Sequence, residues 1–326
     1  MLNTKIGENY GANDVINSTD LRKRLINVDS RFRANYSDPT TDFSFKLEHP
    51  YKNLIRVRLA SIEIPNTFYT FSQANKNTIL GFQTTDSTAK SVIFKIQIPD
   101  GNYTATELIT AIQQQFVTPN TTYGTTFTIQ LIPNSRKVTI TNNRSFIFDT
   151  GTTPDSQKKW FYYGLGYYLG FPDKGYTITS SPYTITSSQC INTLGSPYLL
   201  LEVNDYYSVE QKTTQNYIQC LAKIIVNKDK YETIENNGSN MLSNDVIFPS
   251  PTDLSTIRVR LLDAYGNVVD LCGANFSFAL EITEVQNTRL YDFYRNYIWL
   301  GTIPSVNYKK VQGSAQPLLK GVGPPF

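Results

Sequence analysis

Apolar and polar residues alternate with a period of two along much of this 326-residue chain. That spacing puts successive side chains on opposite faces of a strand. Phe43, Phe45 and Leu47 share one face; Ile55, Val57 and Leu59 share a face with Arg56 and Arg58 opposite. The phase then slips, because Ile62 and Ile64 fall on even numbers. A one-residue slip inside one run predicts a β-bulge near Ala60-Ser61. Val92, Phe94, Ile96 and Ile98 alternate with polar partners, as do Phe127, Ile129 and Leu131 before a Pro133-Asn134-Ser135 turn into Val138 and Ile140. Further runs are Phe146-Phe148, Leu199-Leu201-Val203, Cys220-Ala222-Ile224-Val226, Ile257-Val259-Leu261 and Phe276-Phe278-Leu280-Ile282. About ten such strands separated by turn signals predict a sandwich or barrel.

Two segments carry the helical period instead. Thr104 precedes Glu107 by three residues, a capping box, and Leu108, Ile109, Ile112 and Phe116 follow on one stripe. A second helix is predicted from about Thr288 to Leu300, with Leu290, Phe293, Tyr294, Tyr297 and Ile298 on one face. Residues 1–26 are polar and aperiodic, and the tail from Ile303 holds Pro304, Pro317, Pro324 and Pro325 with no period. Both are expected to be extended arms that order on binding.

The ends of the strand set echo each other. Phe43-Ser44-Phe45-Lys46-Leu47 resembles Phe276-Ser277-Phe278-Ala279-Leu280, and Ile55-Arg56-Val57-Arg58-Leu59 matches Ile257-Arg258-Val259-Arg260-Leu261. The two motifs occur in reversed order, so this is no tandem repeat. One reading is that half-buried strands resemble one another; the sharper one is that Phe43–Leu47 and Phe276–Ile282 lie side by side and close one sheet.

Composition narrows the chemistry. The chain holds 22 Tyr, 18 Phe and 2 Trp, and only 17% of its residues are charged, against about 25% in an average soluble domain. A net charge of +3 is too small to predict nucleic-acid binding by electrostatics. The one histidine, His49, stands before Pro50 in what reads as the end of a strand, so multi-histidine metal sites are excluded. A Ser-His-Asp triad would have to use that one residue. Cys190, Cys220 and Cys272 are widely spaced and odd in number, which predicts buried, reduced thiols in a cytosolic compartment and no zinc site or disulfide framework. No signal peptide is expected from Met1-Leu2-Asn3-Thr4-Lys5, and no stretch approaches 18 apolar residues, so no transmembrane segment is expected.

The remaining motifs read as structural. Gly164, Gly166 and Gly170 miss the dinucleotide spacing by one and sit in no strand–turn–helix unit. Asp263 and Asp270 flank a hairpin turn, and Glu202 and Asp205 close a strand, all without a base to work with. Asn-x-Ser/Thr sequons at Asn35, Asn102, Asn143, Asn237 and Asn275 are expected by chance in a chain this rich in those residues. The aromatic run Trp160–Phe171 has only Lys158 and Lys159 beside it, so core packing accounts for it better than stacking on single-stranded nucleic acid.

Several segments together resemble a known family. Ile26-Asn27-Val28-Asp29-Ser30-Arg31-Phe32-Arg33 leads to Phe43-Ser44-Phe45 and then Ile62-Glu63-Ile64-Pro65-Asn66-Thr67-Phe68-Tyr69. Ile98-Pro99-Asp100-Gly101-Asn102-Tyr103-Thr104 follows, and later Leu165-Gly166 through Leu169-Gly170-Phe171. This order, over roughly residues 26–285, is similar to small capsid proteins of the nucleocytoplasmic large DNA viruses, the giant icosahedral viruses of algae and protists. The resemblance implies a jelly-roll-type fold, no catalysis, and a place in or under an icosahedral shell.

The sequence therefore predicts an all-β, jelly-roll-like antiparallel sandwich with one inserted short helix, a C-terminal helix and extended arms. The expected divisions are an arm over 1–26, a β body over 27–286, and a helix and tail over 287–326. The expected function is that of a minor capsid protein cementing capsomers. A pentameric vertex protein of the same capsid is the alternative, and a host- or glycan-binding β module stands behind both. No enzyme activity, cofactor or metal site is expected. The expected partners are the major capsid protein, other minor capsid proteins and further copies of this chain, in a virion assembled in host cytoplasm. Tyr291, Phe293, Tyr294, Tyr297 and Trp299, more rings than one buried stripe requires, are the candidate interface.

Overall fold

The structure is a computed structural model, and it describes residues 21–151, 164–212, 217–237, 243–288 and 291. The chain is mostly antiparallel β, as the alternation requires. Its strands are β1 (Leu21–Asp29), β2 (Asp42–Pro65), β3 (Ile79–Thr85), β4 (Ser91–Gln97), β5 (Thr128–Ile132), β6 (Lys137–Thr141), β7 (Phe146–Asp149) and β8 (Gly175–Ile178). They continue as β9 (Thr184–Thr186), β10 (Tyr198–Val203), β11 (Val209–Lys212), β12 (Tyr217–Cys220), β13 (Ala222–Ile225), β14 (Thr233–Asn237), β15 (Val246–Leu262) and β16 (Ser277–Val285). The helices are α1 (Ala105–Gln115), α2 (Val117–Tyr123) and the single turn α3 (Leu165–Tyr168).

One seven-stranded sheet runs β1-β16-β2-β15-β10-β13, with β14 also on β2. It curls around its own apolar face. The core there is mainly aliphatic: Val28, Val57, Ile62, Leu201, Val259, Leu261 and Leu280 are all buried. Burying one such side chain contributes about 1.5–3 kcal/mol. The opposite face is charged, with Arg58 and Lys23 both paired to Glu281 at 2.8 and 3.4 Å.

The described residues between Phe71 and Ile191 form a second unit with a second core. Its sheets, β4-β3-β7-β8 and β5-β6-β9, share an interior built of rings. Phe127 touches Phe82, Phe94, Phe116 and Phe146 with centroids 5.1 to 5.6 Å apart. Helix α1 covers this core with Leu108, Ile109 and Ile112, and its capping box is formed at both ends: Glu107 N donates to Thr104 Oγ1 and Thr104 N to Glu107 Oε2. Among the described residues the body is thus one sequence interval with two main cores, beside a small cluster of Leu200, Cys220 and Leu262.

The bulge is where the phase slip put it. Ser61 pairs with Ala279 and Leu59 with Leu280, leaving Ala60 unmatched. The expected neighbour of Phe43–Leu47 is corrected. Phe45 pairs with Ile257 and Phe43 with Val259, while β16 pairs β2 further along, Leu280 with Leu59 and Ile282 with Val57. The echoed motifs therefore cross-pair: each Phe-Ser-Phe strand runs beside the other end's Ile-Arg-Val-Arg strand. The sheet is the same, but β1 occupies the remaining edge of β16, with Val28 opposite Phe278.

Two other expectations are also corrected. The arm boundary at residue 26 falls inside β1, because Leu21–Ile26 pair with Leu280–Val285. The strand does not end at Pro50. It continues through it, and the register between β2 and β15 shifts at the segments holding Pro50 and Pro251, as expected for residues with no N–H to give the ladder.

Candidate functional site

Of the candidate interface, only Tyr291 lies among the described residues. It is helical and 4% exposed. Phe293, Tyr294, Tyr297 and Trp299 lie outside the described residues, as do the arm over 1–20 and the tail from Ile303.

Exposed aromatics occur elsewhere, two of them in one of the segments that carry the family resemblance. At the end of β1, Asp29 caps a 3-10 turn over Ser30–Phe32 by accepting from Arg31 N at 2.9 Å. The Arg31 guanidinium closes on the same carboxylate, Nη2 to Oδ2 at 2.6 Å. That hydrogen bond holds the Asp29 carboxyl below its ordinary pKa, against the opposing effect of burial. Arg33 ties the following loop by donating to three carbonyls, of Asp38, Ser30 and Tyr36, at 2.9 to 3.0 Å. Ser30 fastens the turn to the last strand: its N donates to Phe276 O and its hydroxyl accepts from Phe276 N, both at 3.0 Å. On this frame Phe32 and Tyr36 stand 65% and 70% exposed. Arg31 lies over the Phe32 ring and Arg33 over the Tyr36 ring, at 5.8 and 5.3 Å from the centroids. In the sequence, Asp-Ser-Arg-Phe-Arg stands out for its resemblance and not as a surface. The available signal was two rings among short polar residues outside any period.

Several of the other motifs have structural partners. Asp263 accepts from Tyr265 N and Asn267 N, and Asp270 from Cys272 N, so both carboxylates build turns. Glu202 pairs with Arg260 across the sheet. A Cβ at Gly166 would collide with Thr150, and one at Gly170 (φ +92°) with the Gln189 carbonyl. Those glycines serve close packing beside Leu165, Leu169 and Phe171, which are buried. Asn102 accepts from Thr70 N and donates to Phe68 O, so that sequon residue is a structural bracket.

The cysteines divide. Cys220 is buried, which pushes its thiol up to about 11, whereas Cys190 and Cys272 are exposed, against expectation. A cleft of 400 Å³ lies between β4 and α1–α2, lined in part by Phe94, Lys95, Gln114 and Tyr123. Among the described residues no three His, Cys, Asp or Glu side chains are grouped to hold a metal, and no helix is long and apolar enough to cross a membrane.

No protein-family model matches the sequence, and no curated protein does. Among solved structures, the crystal structure of a selenomethionine-labelled mavirus penton protein is similar at a TM-score of 0.41 and 12% identity, over 81% of this chain and 99% of that one.

Proposed function

We propose that this chain is a non-enzymatic structural protein of an icosahedral virus shell, a minor capsid protein that cements capsomers of a large DNA virus. Its partners are the major capsid protein and other minor capsid proteins, in a virion assembled in host cytoplasm. The observation that carries this reading is the braced Asp29–Asp38 loop. It spends Asp29, Arg31 and Arg33 on rigidity and presents two rings to solvent. Rigid aromatic anchors lose little conformational entropy on binding, which suits them to broad protein interfaces. The sequence resemblance, of which this segment and Ile62-Glu63-Ile64-Pro65-Asn66 are the most telling parts, supplies the shell context.

The test is a Phe32→Ala/Tyr36→Ala chain expressed during infection. Both side chains are exposed, so the melting temperature should stay unchanged while virion content falls about tenfold or more. Normal incorporation at unchanged stability overturns the reading.

The pentameric vertex protein is the second reading. β1 reaches back to Leu21 and Tyr291 is buried in its own chain, so more of the sequence belongs to a compact body than a lacing protein needs. The position and copy number of the chain in a virion reconstruction separate the two.

A further inference from the structure

Two loops clasp the stretch Asn66–Phe68, where the chain leaves the seven-stranded sheet for the inserted unit. Asn66 N donates to Glu232 O at 2.8 Å and Tyr231 N to Asn66 O at 3.0 Å. Thr67 Oγ1 donates to Leu271 O at 2.6 Å. The frame brings in one amine and one thiol. Lys230 Nζ donates to Phe68 O at 2.9 Å and stands 3.7 Å from the centre of the Phe68 ring. Cys272 Sγ donates to Thr67 O at 3.5 Å. Amine and thiol therefore hang on the carbonyls of successive residues, on a scaffold that fixes both.

The surroundings act differently on the two groups. Among the described residues no carboxylate pairs with Lys230. Burial pulls its ammonium down to about 8, so about a tenth of the amine is neutral and nucleophilic at pH 7, far more than for an ordinary lysine. The thiol is raised, first by burial, with Asp270 adding to this; a hydrogen bond with Tyr69 and the Lys230 charge act in the opposite direction. Asp100 and Tyr231 are the charged or titratable groups facing Tyr69. Cys272 remains exposed, so a small oxidant can reach it. Cys272 and Tyr231 also hold left-handed backbone at φ +55° and +71°, a strained conformation for non-glycine residues that clusters at functional sites.

We propose that Lys230 and Cys272 form an oxidative crosslinking site, at which hydrogen peroxide joins them through a sulfenamide bond and staples the two loops across the junction of the units. The Cys272 sulfur attacks peroxide, the O–O bond breaks, water leaves, and a sulfenic acid remains. The neutral Lys230 nitrogen then attacks that sulfur. The N–S bond forms, the S–O bond breaks, and the hydroxyl leaves as water with one amine proton. In sum, one thiol, one amine and one peroxide give one sulfenamide and two waters. Sulfur gives up two electrons and peroxide accepts them. An added thiol reverses the bond by reducing it.

The experiment treats the full chain, in a Cys190→Ser background that removes the other exposed thiol, with hydrogen peroxide, and maps the peptides by mass. The expected product lacks two hydrogens, joins the peptides of Lys230 and Cys272, resists trypsin after Lys230 and is lost on treatment with dithiothreitol. In Lys230→Met the same treatment should carry Cys272 on to the sulfinic acid, with two added oxygens. If the unsubstituted pair yields a sulfinic or sulfonic Cys272, or a disulfide between chains, while Lys230 stays unmodified, the proposal is overturned. The mapping is made on the chain with both residues present, so its outcome stands even where Lys230→Met fails to fold.

Discussion

The two cores solve the same problem with different materials. The seven-stranded sheet closes its core with aliphatic side chains on long strands, and its edge pairing joins residues some 250 positions apart, as in Val28 with Phe278. The inserted unit draws its core from one continuous stretch, Phe71 to Ile191, and fills it with phenylalanine. Short strands offer few inward positions, so each must cover more area, and an aromatic ring does so. The long strands can use smaller residues because they have more of them, and they add ion pairs on the outer face. The comparison teaches that a high aromatic content need not mean surface recognition. Most of the described rings in the inserted unit are spent inside it.

Substitutions can break or sharpen this contrast. Phe127→Ala removes the ring at the centre of the phenylalanine cluster and should cost about 3–5 kcal/mol, read by denaturant unfolding. If the units are independent, hydrogen exchange should show protection lost over 71–191 and kept in β2 and β16. Simultaneous loss in both would merge the two cores into one cooperative unit. Leu280→Ala, or Leu59→Ala beside it, should cost about 2–5 kcal/mol with the reverse pattern of lost protection. An unchanged melting temperature would mean that these two side chains do not face the core.

Smaller effects follow from local devices. Thr104→Ala removes the α1 cap and should cost about 1 kcal/mol, confined in exchange experiments to α1 and the β5 edge it covers. Last is the Asp29–Arg31 pair. Asp29 titrates below its ordinary value of 3.8 in the folded chain. Its contribution is therefore complete above that value and is lost as pH falls through the lowered folded value. Amide exchange or NMR shifts of Ser30–Phe32 should report the loop loosening in that acid range. Asp29→Asn should abolish the acid dependence, and a dependence that survives the substitution would assign it to another group.

Much of the fold was legible because it is local. The bulge at Ala60 showed as a slip in the phase of Ile55–Ile64, since a strand's period is two and one extra residue must reverse its faces. The α1 cap showed in Thr104 and Glu107, since both partners lie within one turn. Inward positions were also legible: Val57, Leu59, Phe94, Ile96, Ile129, Val259, Phe278 and Leu280 are buried as their alternation requires, and Phe45 is partly buried. The surface loop was half legible, as a motif without a geometry. Its frame depends on Ser30 meeting Phe276 and Asn275, residues some 245 positions away.

By itself the sequence determined the class of fold, the face each strand buries, and the absence of a multi-histidine centre, because each follows from spacing or from residues simply not present. Only the tertiary structure decided which strands are neighbours, that Phe43–Leu47 lies against Ile257–Arg260, that one interval holds two cores, and that Leu21–Ile26 joins the sheet. Alternation says which face of a strand is apolar and nothing about what lies along its edge. Backbone hydrogen bonds are the same for every residue, so the choice of partner rests on the summed fit of side chains that meet only once the chain has closed loops of some 200 residues.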